Sequence, residues 1–222
     1  MMGANFFDTV RPLFGRLSQE QVDGMNRIVS YAAKRGVGRA HLAYILATVF
    51  HETAKWMVPI REGARRYGTN YSDASARRAV KAIHDKGIIS TNYALPHANG
   101  NSYYGRGLVQ ITWGENYEKF GIYDNPDEAL EWDKALEITF EGMRDGMFTG
   151  KSLADVEEVG EQDYTNDRVV VNGDGRKNGA RIAGYANTFY DALAEYSPKE
   201  VPNEPSKHQG AWPPRWWPFH TD

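Results

Sequence analysis

The chain has 222 residues, 41% of them hydrophobic, which is enough for a compact domain with a sizeable core. The formal net charge of −3 argues against a nucleic-acid-binding protein held by phosphate contacts. The absence of cysteine excludes a disulfide scaffold and cysteine-based zinc or thiol chemistry, and it fits folding in a reducing cytoplasm.

The N-terminal part predicts helices that contribute to the core. Residues 1–17 are rich in phenylalanine and leucine and predict a short helix or cap on the core. Ser18, followed by Gln21 three residues later, is typical of a capping box at the start of a helix. Apolar residues at helical spacing follow as far as Gly36, which suits the end of that helix.

A second helix is predicted over residues 39–51 from an apolar stripe at helical spacing. His51 and Glu52 close this stripe. A carboxylic acid there lies either on the surface or beside the core, and apolar surroundings make such an acid hold its proton more tightly, which suits general-acid catalysis. His51-Glu52 also begins like a zinc-protease motif, but Lys55 occupies the position of the second histidine, so we reject that chemistry.

A second carboxylate, Glu62, follows in the irregular segment Lys55–Tyr71. Two carboxylic acids on different elements can act as a general acid and a general base, because one protonates a leaving oxygen while the other activates water. Glu62 lies between Arg61 and Arg65, so a surface ion pair is the competing interpretation. Asp73 is the alternative base.

Residues 73–86 predict a further helix that ends at Gly87, and residues 88–102 predict a loop. From Leu108 to Trp113 apolar and polar side chains alternate, which predicts a strand with Gln110 and Thr112 on one face. Three aromatic residues in this region either stack on sugar rings or fill the core: Tyr103, Tyr104 and Trp113. For Trp113 the core is the preferred interpretation.

The C-terminal half predicts more helices and an extended tail. Asn125-Pro126 predicts a helix start, and a final helix is predicted over about residues 177–196. Asp174 between two glycines suggests a calcium loop, but the ladder of oxygen ligands is missing and we reject that interpretation. Residues 1–196 are expected to form the catalytic domain. Residues 197–222 form a Pro/Trp-rich tail, expected to dock on the domain or contact the cell wall.

Together these segments resemble glycoside hydrolase family 19, the chitinases and their bacteriophage endolysin relatives, over roughly residues 40–190. The resemblance rests on His51-Glu52-Thr53, Tyr103-Tyr104-Gly105-Arg106-Gly107, Gln110-Ile111-Thr112-Trp113, Asn116-Tyr117, Val171-Asn172-Gly173, Arg181-Ile182 and Tyr185. The lack of a plant-type disulfide set and the segment Met57–Glu62 are more similar to the endolysin branch.

The resemblance implies a mainly α fold (α+β, lysozyme-like superfamily), with a small β-sheet edging a substrate cleft. It implies an inverting mechanism in which Glu52 is the acid, Glu62 the base and Thr112 the residue that holds the attacking water. Inversion predicts carboxyl groups about 6.5–9.5 Å apart.

The resemblance also implies a set of substrate-binding residues: His51, Tyr104, Gln110, Asn116, Asn172 and Arg181. Gln110 would hydrogen-bond the substrate, and Asn116 and Asn172 would bind sugar. Arg181 would support the second acid, with a solvent-facing arginine in the first turn of the last helix as the competing interpretation. We expect no metal and no cofactor.

The leading hypothesis is an endolysin that hydrolyses β-1,4 bonds of peptidoglycan as a muramidase and acts as a monomer. Met1–Arg11 lacks the pattern of a signal peptide, so we expect residence in the host cytoplasm until a phage holin gives access to the periplasm and wall. Nucleic acid is not an expected partner. The alternatives are a chitinase with the same mechanism and a non-catalytic glycan-binding module.

Overall fold

The computed structural model describes residues 1–155, 164, 167–172 and 175–198. The Pro/Trp-rich tail lies outside the described residues apart from 197 and 198, and so do Gly173 and Asp174. Most of the acidic stretch that follows Gly150 lies outside them as well.

The described chain is mainly helical with a small β-sheet, which confirms the predicted fold class. The α-helices are α1 Ala4–Phe14, α2 Gln19–Lys34, α3 Arg39–Glu52, α4 Ala64–Tyr67, α5 Asp73–Asp85, α6 Gly114–Lys119, α7 Trp132–Arg144 and α8 Gly175–Ala192. The strands are β1 Ile60–Arg61 and β2 Arg106–Gly107. Short 3-10 helices lie at Pro126–Leu130, Leu153–Asp155 and Asp167–Val170.

Two compact units make up the described chain. One contains Met1–His51 and the described residues from Phe140 onward, and the other contains Glu52–Thr139. The boundaries fall inside α3 and α7, so each of these helices supplies residues to both units. The sequence predicted a single catalytic domain over residues 1–196.

The first unit is built around α3, which is more deeply buried than its apolar stripe predicted. Every residue from Leu42 to Phe50 is buried. The Phe50 ring contacts Phe14 of α1 and Tyr185 of α8, with centroid separations of 4.9 and 4.7 Å. The predicted capping box is confirmed, because the Gln21 N–H donates to Ser18 Oγ while the Ser18 N–H donates to Gln21 Oε1.

The second unit contains the small sheet and α5. Strands β1 and β2 pair antiparallel, with Ile60 opposite Gly107 and Arg61 opposite Arg106. Helix α5 confirms the predicted helix from residue 73 and buries Ala76 and Val80 against Tyr104. The helix predicted at Asn125-Pro126 is instead a 3-10 helix, and the Asn125 side chain does not cap it.

Candidate active site

Glu62 lies at the end of the small sheet, one residue after β1. Its backbone N–H donates to the Gly105 carbonyl at 2.7 Å, and the Gly105 N–H donates to Glu62 Oε2 at 2.9 Å. The chain then turns at Gly63, where φ is +97° and an added Cβ would lie 2.9 Å from the Ala79 Cβ. A glycine is therefore required directly after Glu62, because both the backbone angle and the space exclude a side chain.

The Glu62 carboxylate accepts a hydrogen bond at each oxygen. Besides Gly105 at Oε2, the Tyr93 hydroxyl donates to Oε1 at 2.6 Å. Burial raises the pKa of Glu62, the two hydrogen bonds oppose that rise, and the negative charge of Glu52 adds to it. The net direction is upward. Glu52 thus lies close enough for its charge to raise the pKa of Glu62.

Glu52 is the last residue of α3, and its Oε1 atom is buried. The chain leaves the helix through a strained segment in which Ala54, Lys55 and Met57 all have positive φ. Gln110 and Trp113 complete the set of non-glycine residues with positive φ in the described part of the chain. Backbone strain of this kind persists where surrounding structure enforces it, typically at functional sites. Three of the five positions lie within five residues after Glu52, and the other two lie in Leu108–Trp113, which we call the central segment.

The strand predicted over Leu108–Trp113 is wrong. The paired strand is only Arg106–Gly107, and Arg106 also forms an isolated bridge with Ile111. The backbone turns at Gln110, where φ is +52°, and again at Trp113, where φ is +73°. Both angles are incompatible with a regular strand, so the alternation of polar and apolar residues here reflects a tight turn against the sheet.

The Gln110 side chain is anchored to the sheet. Its Nε2 donates to the carbonyls of Ile60 and Gly107 at 3.0 and 3.1 Å. Its Oε1 atom faces Gly105, 2.9 Å from where a Cβ on that glycine would lie. Since both amide hydrogens are used internally, the oxygen is the atom by which Gln110 would contact a substrate, as an acceptor.

Thr112 is half-buried and follows the same turn. Its hydroxyl donates to the Gln110 carbonyl at 2.9 Å. A hydroxyl that donates its one hydrogen still has lone pairs with which to accept a hydrogen bond from water. The prediction that Thr112 holds water therefore means that its hydroxyl accepts a hydrogen bond from that water.

Asn116 is buried in α6 at 5% exposure, and its amide makes hydrogen bonds within the protein. Nδ2 donates to the Thr112 carbonyl at 2.8 Å, and Lys119 Nζ donates to Oδ1 at 2.9 Å. These contacts tie α6 to the turn that carries Thr112. A sugar-binding role for Asn116 stays a prediction. It would require Nδ2 or Oδ1 to form a hydrogen bond to sugar in addition to its bond within the protein.

Tyr104, a predicted substrate contact, has 0% exposure, and its role in substrate binding stays a prediction. Its hydroxyl donates to Asp73 Oδ1 at 2.8 Å, and the Arg106 guanidinium lies over its ring at 3.8 Å. Asp73 also pairs with Arg77 at 2.6 Å. These contacts give Asp73 a structural role, so it is a poor alternative to Glu62 as the base.

Trp113 is half-buried rather than part of the core, which corrects the preferred interpretation of its side chain. Its ring lies 5.3 Å from that of Tyr93, with 59° between the two planes. The backbone at Trp113 has a φ of +73°, which is not strand geometry. An aromatic surface therefore lies next to the tyrosine that contacts Glu62.

Three predicted substrate-binding residues belong to the first unit. His51 is half-buried in α3, Asn172 is half-buried with a buried Oδ1 atom, and Arg181 is an exposed residue of α8. Their roles stay predictions. The exposed position of Arg181 agrees with the competing interpretation that it faces solvent.

Sequence reasoning missed two groups that contact the Glu62 carboxylate. Tyr93 fell inside a predicted loop, and its partner Glu62 lies 31 residues away in the chain. The Gly105 donor is a backbone N–H, 43 residues from Glu62. The only local signal was Gly105 itself, as a place for close backbone approach.

A polar cavity of about 500 Å³ lies elsewhere in the second unit. Its lining includes Asp73, Arg77, Arg106 and Asp127. Apart from Asp73, the alternative base, it includes none of the residues predicted for catalysis or substrate binding. This cavity therefore does not mark the predicted substrate cleft.

Alanine at Gly105 should reduce turnover more than it reduces stability. The new Cβ would lie 2.9 Å from Gln110 Oε1 and 3.2 Å from Glu62 Oε2, so the carboxylate must shift. A displaced catalytic group costs about tenfold to 100-fold in rate, which steady-state kinetics with a glycan substrate would measure. Gly184→Ala is the matched control, because no atom lies within 4 Å of its added Cβ. Equal activity of the two variants would contradict this prediction.

The part of the chain that the structure describes contains no cluster of three metal-ligating side chains. Among the described helices, none has the length and apolar character needed to cross a membrane.

Solved structures of chitinases are similar to this chain over most of its length. A mutant of chitinase C matches with a TM-score of 0.48 and 16% identity, covering 89% of this chain and 94% of that one. Chitinase C from Streptomyces griseus HUT6037 gives 0.45 and 17%, covering 89% and 78%. A bacterial family 19 chitinase gives 0.41 and 19%, covering 89% and 96%. No protein-family model and no curated protein matches the sequence.

Proposed function

We propose that the chain is a glycoside hydrolase that cleaves β-1,4 bonds of bacterial peptidoglycan, of the N-acetylmuramidase type. The observation that carries the proposal is the buried Glu62 carboxylate, held by a hydrogen bond at each oxygen and within electrostatic range of Glu52. Two neighbouring carboxylic acids with different surroundings are the chemical requirement for glycoside hydrolysis.

Glu62 is the general base in this proposal. Both of its oxygens accept hydrogen bonds, from Tyr93 and from the Gly105 N–H, and such bonds favour the ionised form that a base requires. Burial and the charge of Glu52 raise its pKa and so make it a stronger base. Because activity requires ionised Glu62, the acidic limb of the pH profile should lie above the range of an ordinary glutamate.

Thr112 and Glu62 would share the attacking water. Since the Thr112 hydroxyl donates to the Gln110 carbonyl, its lone pairs accept one hydrogen of the water while Glu62 accepts the other. The oxygen lone pair of the water then attacks the anomeric carbon, and the hydrogen that faces Glu62 passes to its carboxylate as a proton.

Glu52 is the general acid in this proposal. Its position at the end of the buried helix α3, with a buried Oε1 atom, suits a carboxylic acid that carries a proton to the leaving oxygen. Proton transfer from Glu52 to the 4-oxygen of the departing sugar leaves Glu52 ionised and Glu62 protonated, so the pair must exchange a proton with solvent after each turnover.

Peptidoglycan is the proposed polymer because the resemblance in Met57–Glu62 and the absence of cysteine favour the endolysin branch over plant-type chitinases. In that setting the enzyme acts as a monomer in lysis of the host cell. It waits in the host cytoplasm until a holin opens the route to the wall.

Mass spectrometry of soluble products from purified peptidoglycan tests the proposal. Fragments with reducing N-acetylmuramic acid ends are expected from the wild type and from Glu118→Gln, which neutralises an exposed carboxylate of the same unit. They should be absent with Glu52→Gln. Reducing N-acetylglucosamine ends would show that a different glycosidic bond of the polymer is cleaved and would still support a glycoside hydrolase. Cleavage of chitin oligomers alone would indicate a chitinase, and no cleavage of either polymer would contradict the proposal in favour of a glycan-binding module.

A further inference from the structure

Tyr93 makes the side-chain hydrogen bond to the Glu62 carboxylate, and its ring is held in place by neighbours. The hydroxyl donates to Oε1 at 2.6 Å, which is in the short range typical of a donor to an ionised carboxylate. The ring packs against the apolar cluster formed by Ala76, Val80, Ala94 and Tyr104. The half-buried Trp113 ring lies 5.3 Å from it. The phenol therefore approaches Glu62 from one fixed direction.

The Gly105 N–H fixes the other oxygen of Glu62 from the sheet. With one donor at each oxygen, rotation of the carboxylate about its last bond would break both hydrogen bonds. The backbone donor is part of the fold, whereas the hydroxyl of Tyr93 can be removed without changing the main chain. Tyr93 is thus the donor whose hydrogen bond to Glu62 a substitution can remove.

We propose that Tyr93 is a positioning residue for Glu62, holding its carboxylate in the orientation that receives a proton from the attacking water. This inference rests on the proposed function, in which Glu62 is the base. The hydrogen bond at Oε1 occupies one lone pair and leaves the remaining lone pairs of the carboxylate for water.

Removal of the Tyr93 hydroxyl has a defined consequence for pH dependence. The titratable groups that act on Glu62 are Glu52, which raises its pKa, and Tyr93, which lowers it, while the phenols of Tyr71 and Tyr117 also lie within electrostatic range. Without the hydroxyl, only the hydrogen bond from Gly105 opposes the rise in the pKa of Glu62 that burial and Glu52 cause. The pKa of Glu62 then rises further, and the acidic limb of activity moves to higher pH.

Steady-state kinetics of Tyr93→Phe across pH test the inference. We expect kcat to fall by about tenfold to 100-fold, KM to stay within about twofold, and the acidic limb to move to higher pH. Tyr103→Phe is the matched control. Its ring has 0% exposure and belongs to the core, and its hydroxyl donates to the Tyr123 carbonyl at 3.0 Å and does not touch Glu62. A fall in kcat with an unmoved acidic limb, or kinetics like those of Tyr103→Phe, would overturn the inference.

Incorporation of 3-fluorotyrosine at position 93 gives a second test that keeps the ring packing. The fluorinated phenol is a stronger acid and a stronger hydrogen-bond donor, so the acidic limb should move to lower pH. A shift in the same direction as Tyr93→Phe would overturn the inference. A wild-type protein that cleaves no glycan would overturn the proposed function itself, whereas an active wild type with an unaffected Tyr93→Phe variant would overturn only the role of Tyr93.

Discussion

Replacement of Glu62 by alanine is expected to reduce turnover of the natural glycan by about 1,000-fold, within the usual contribution of a general base. The variant loses the acceptor for the proton of the attacking water, while Thr112 and the backbone donors remain. Stability should be retained, because the change removes a buried acid whose ionised form is disfavoured by its surroundings. Circular dichroism and thermal unfolding would check that the fold is intact.

Azide distinguishes the base from the acid. In Glu62→Ala the vacated space admits azide, which attacks the anomeric carbon without needing a base while Glu52 protonates the departing oxygen. The expected product is a glycosyl azide of inverted configuration, with part of the rate restored. Glu52→Gln should not respond to azide, because its defect is in leaving-group protonation. Azide rescue of a Glu52 variant but not of Glu62→Ala would reverse the two roles.

Leaving-group dependence gives the matched control for Glu52. An aryl glycoside whose phenol leaves as a stable anion needs little protonation, so Glu52→Gln should cleave it far better, relative to wild type, than it cleaves the natural glycan. Glu62→Ala should lose activity on both substrates. Equal losses by Glu52→Gln on both would contradict the assignment of Glu52 as the acid.

Replacement of Arg106 by methionine should destabilise the protein by about 1–3 kcal/mol, the usual cost of leaving a buried hydrogen-bond acceptor without its donor. The Asp127 side chain is 54% exposed, so the change does not leave it as a buried charge. Arg106 is 2% exposed, and its Nε donates to Asp127 Oδ1 at 2.7 Å. Its other donors reach the Ser102 carbonyl at 2.8 Å and the Tyr117 hydroxyl at 3.2 Å. Loss of the guanidinium leaves these acceptors without their donor beside the strand that supports Glu62. Urea denaturation of the variant measures the effect.

The control for Arg106 is Arg77→Met. Both arginines pair with Asp73, Arg106 at 3.4 Å and Arg77 at 2.6 Å, but Arg77 is 31% exposed. An exposed ion pair within a helix contributes about 0.3–0.5 kcal/mol, so this variant should unfold nearly as the wild type does. A loss below about 1 kcal/mol for Arg106→Met would contradict a structural role for this buried arginine.

The same arginine predicts a pH dependence of stability. Burial acts to raise the pKa of Asp127, but the charges of Arg106 and Arg61 outweigh it and lower the pKa in the folded protein. A lowered folded pKa contributes stability that is present above the unfolded pKa and is lost as pH falls through the folded pKa. The Arg106→Met variant should therefore lose less of its remaining stability on acidification than the wild type.

Helices α2, α3 and α5 could be predicted from the sequence because their signals are local. The capping residues Ser18 and Gln21 act on neighbouring backbone groups, and the start of α5 at Asp73 is set by helical spacing and by the preceding Ser72, whose hydroxyl accepts from the Ser75 N–H. The end of α3 at Glu52 likewise follows from the end of its apolar run. In each case residues within one or two turns decide the conformation.

The central segment could not be predicted in the same way, because its conformation is set by distant contacts. Alternation around Gln110 fits a strand, but the side chain reaches the Ile60 carbonyl 50 residues away and the backbone turns to allow it. Tyr104 is aromatic and near the site in sequence, yet its ring is covered by Arg106. Glu62 and Tyr93 meet only when the fold brings a predicted loop against the end of β1.

The anomeric configuration of the first product tests the account most directly. Proton NMR during the first minutes of hydrolysis of a soluble β-1,4 oligomer would record the new reducing end before mutarotation. A base that activates water on the face opposite the leaving group predicts the α-anomer first, with no detectable reducing end formed by Glu62→Ala over the same time. Initial formation of the β-anomer would contradict direct attack by water and would require a different role for Glu62.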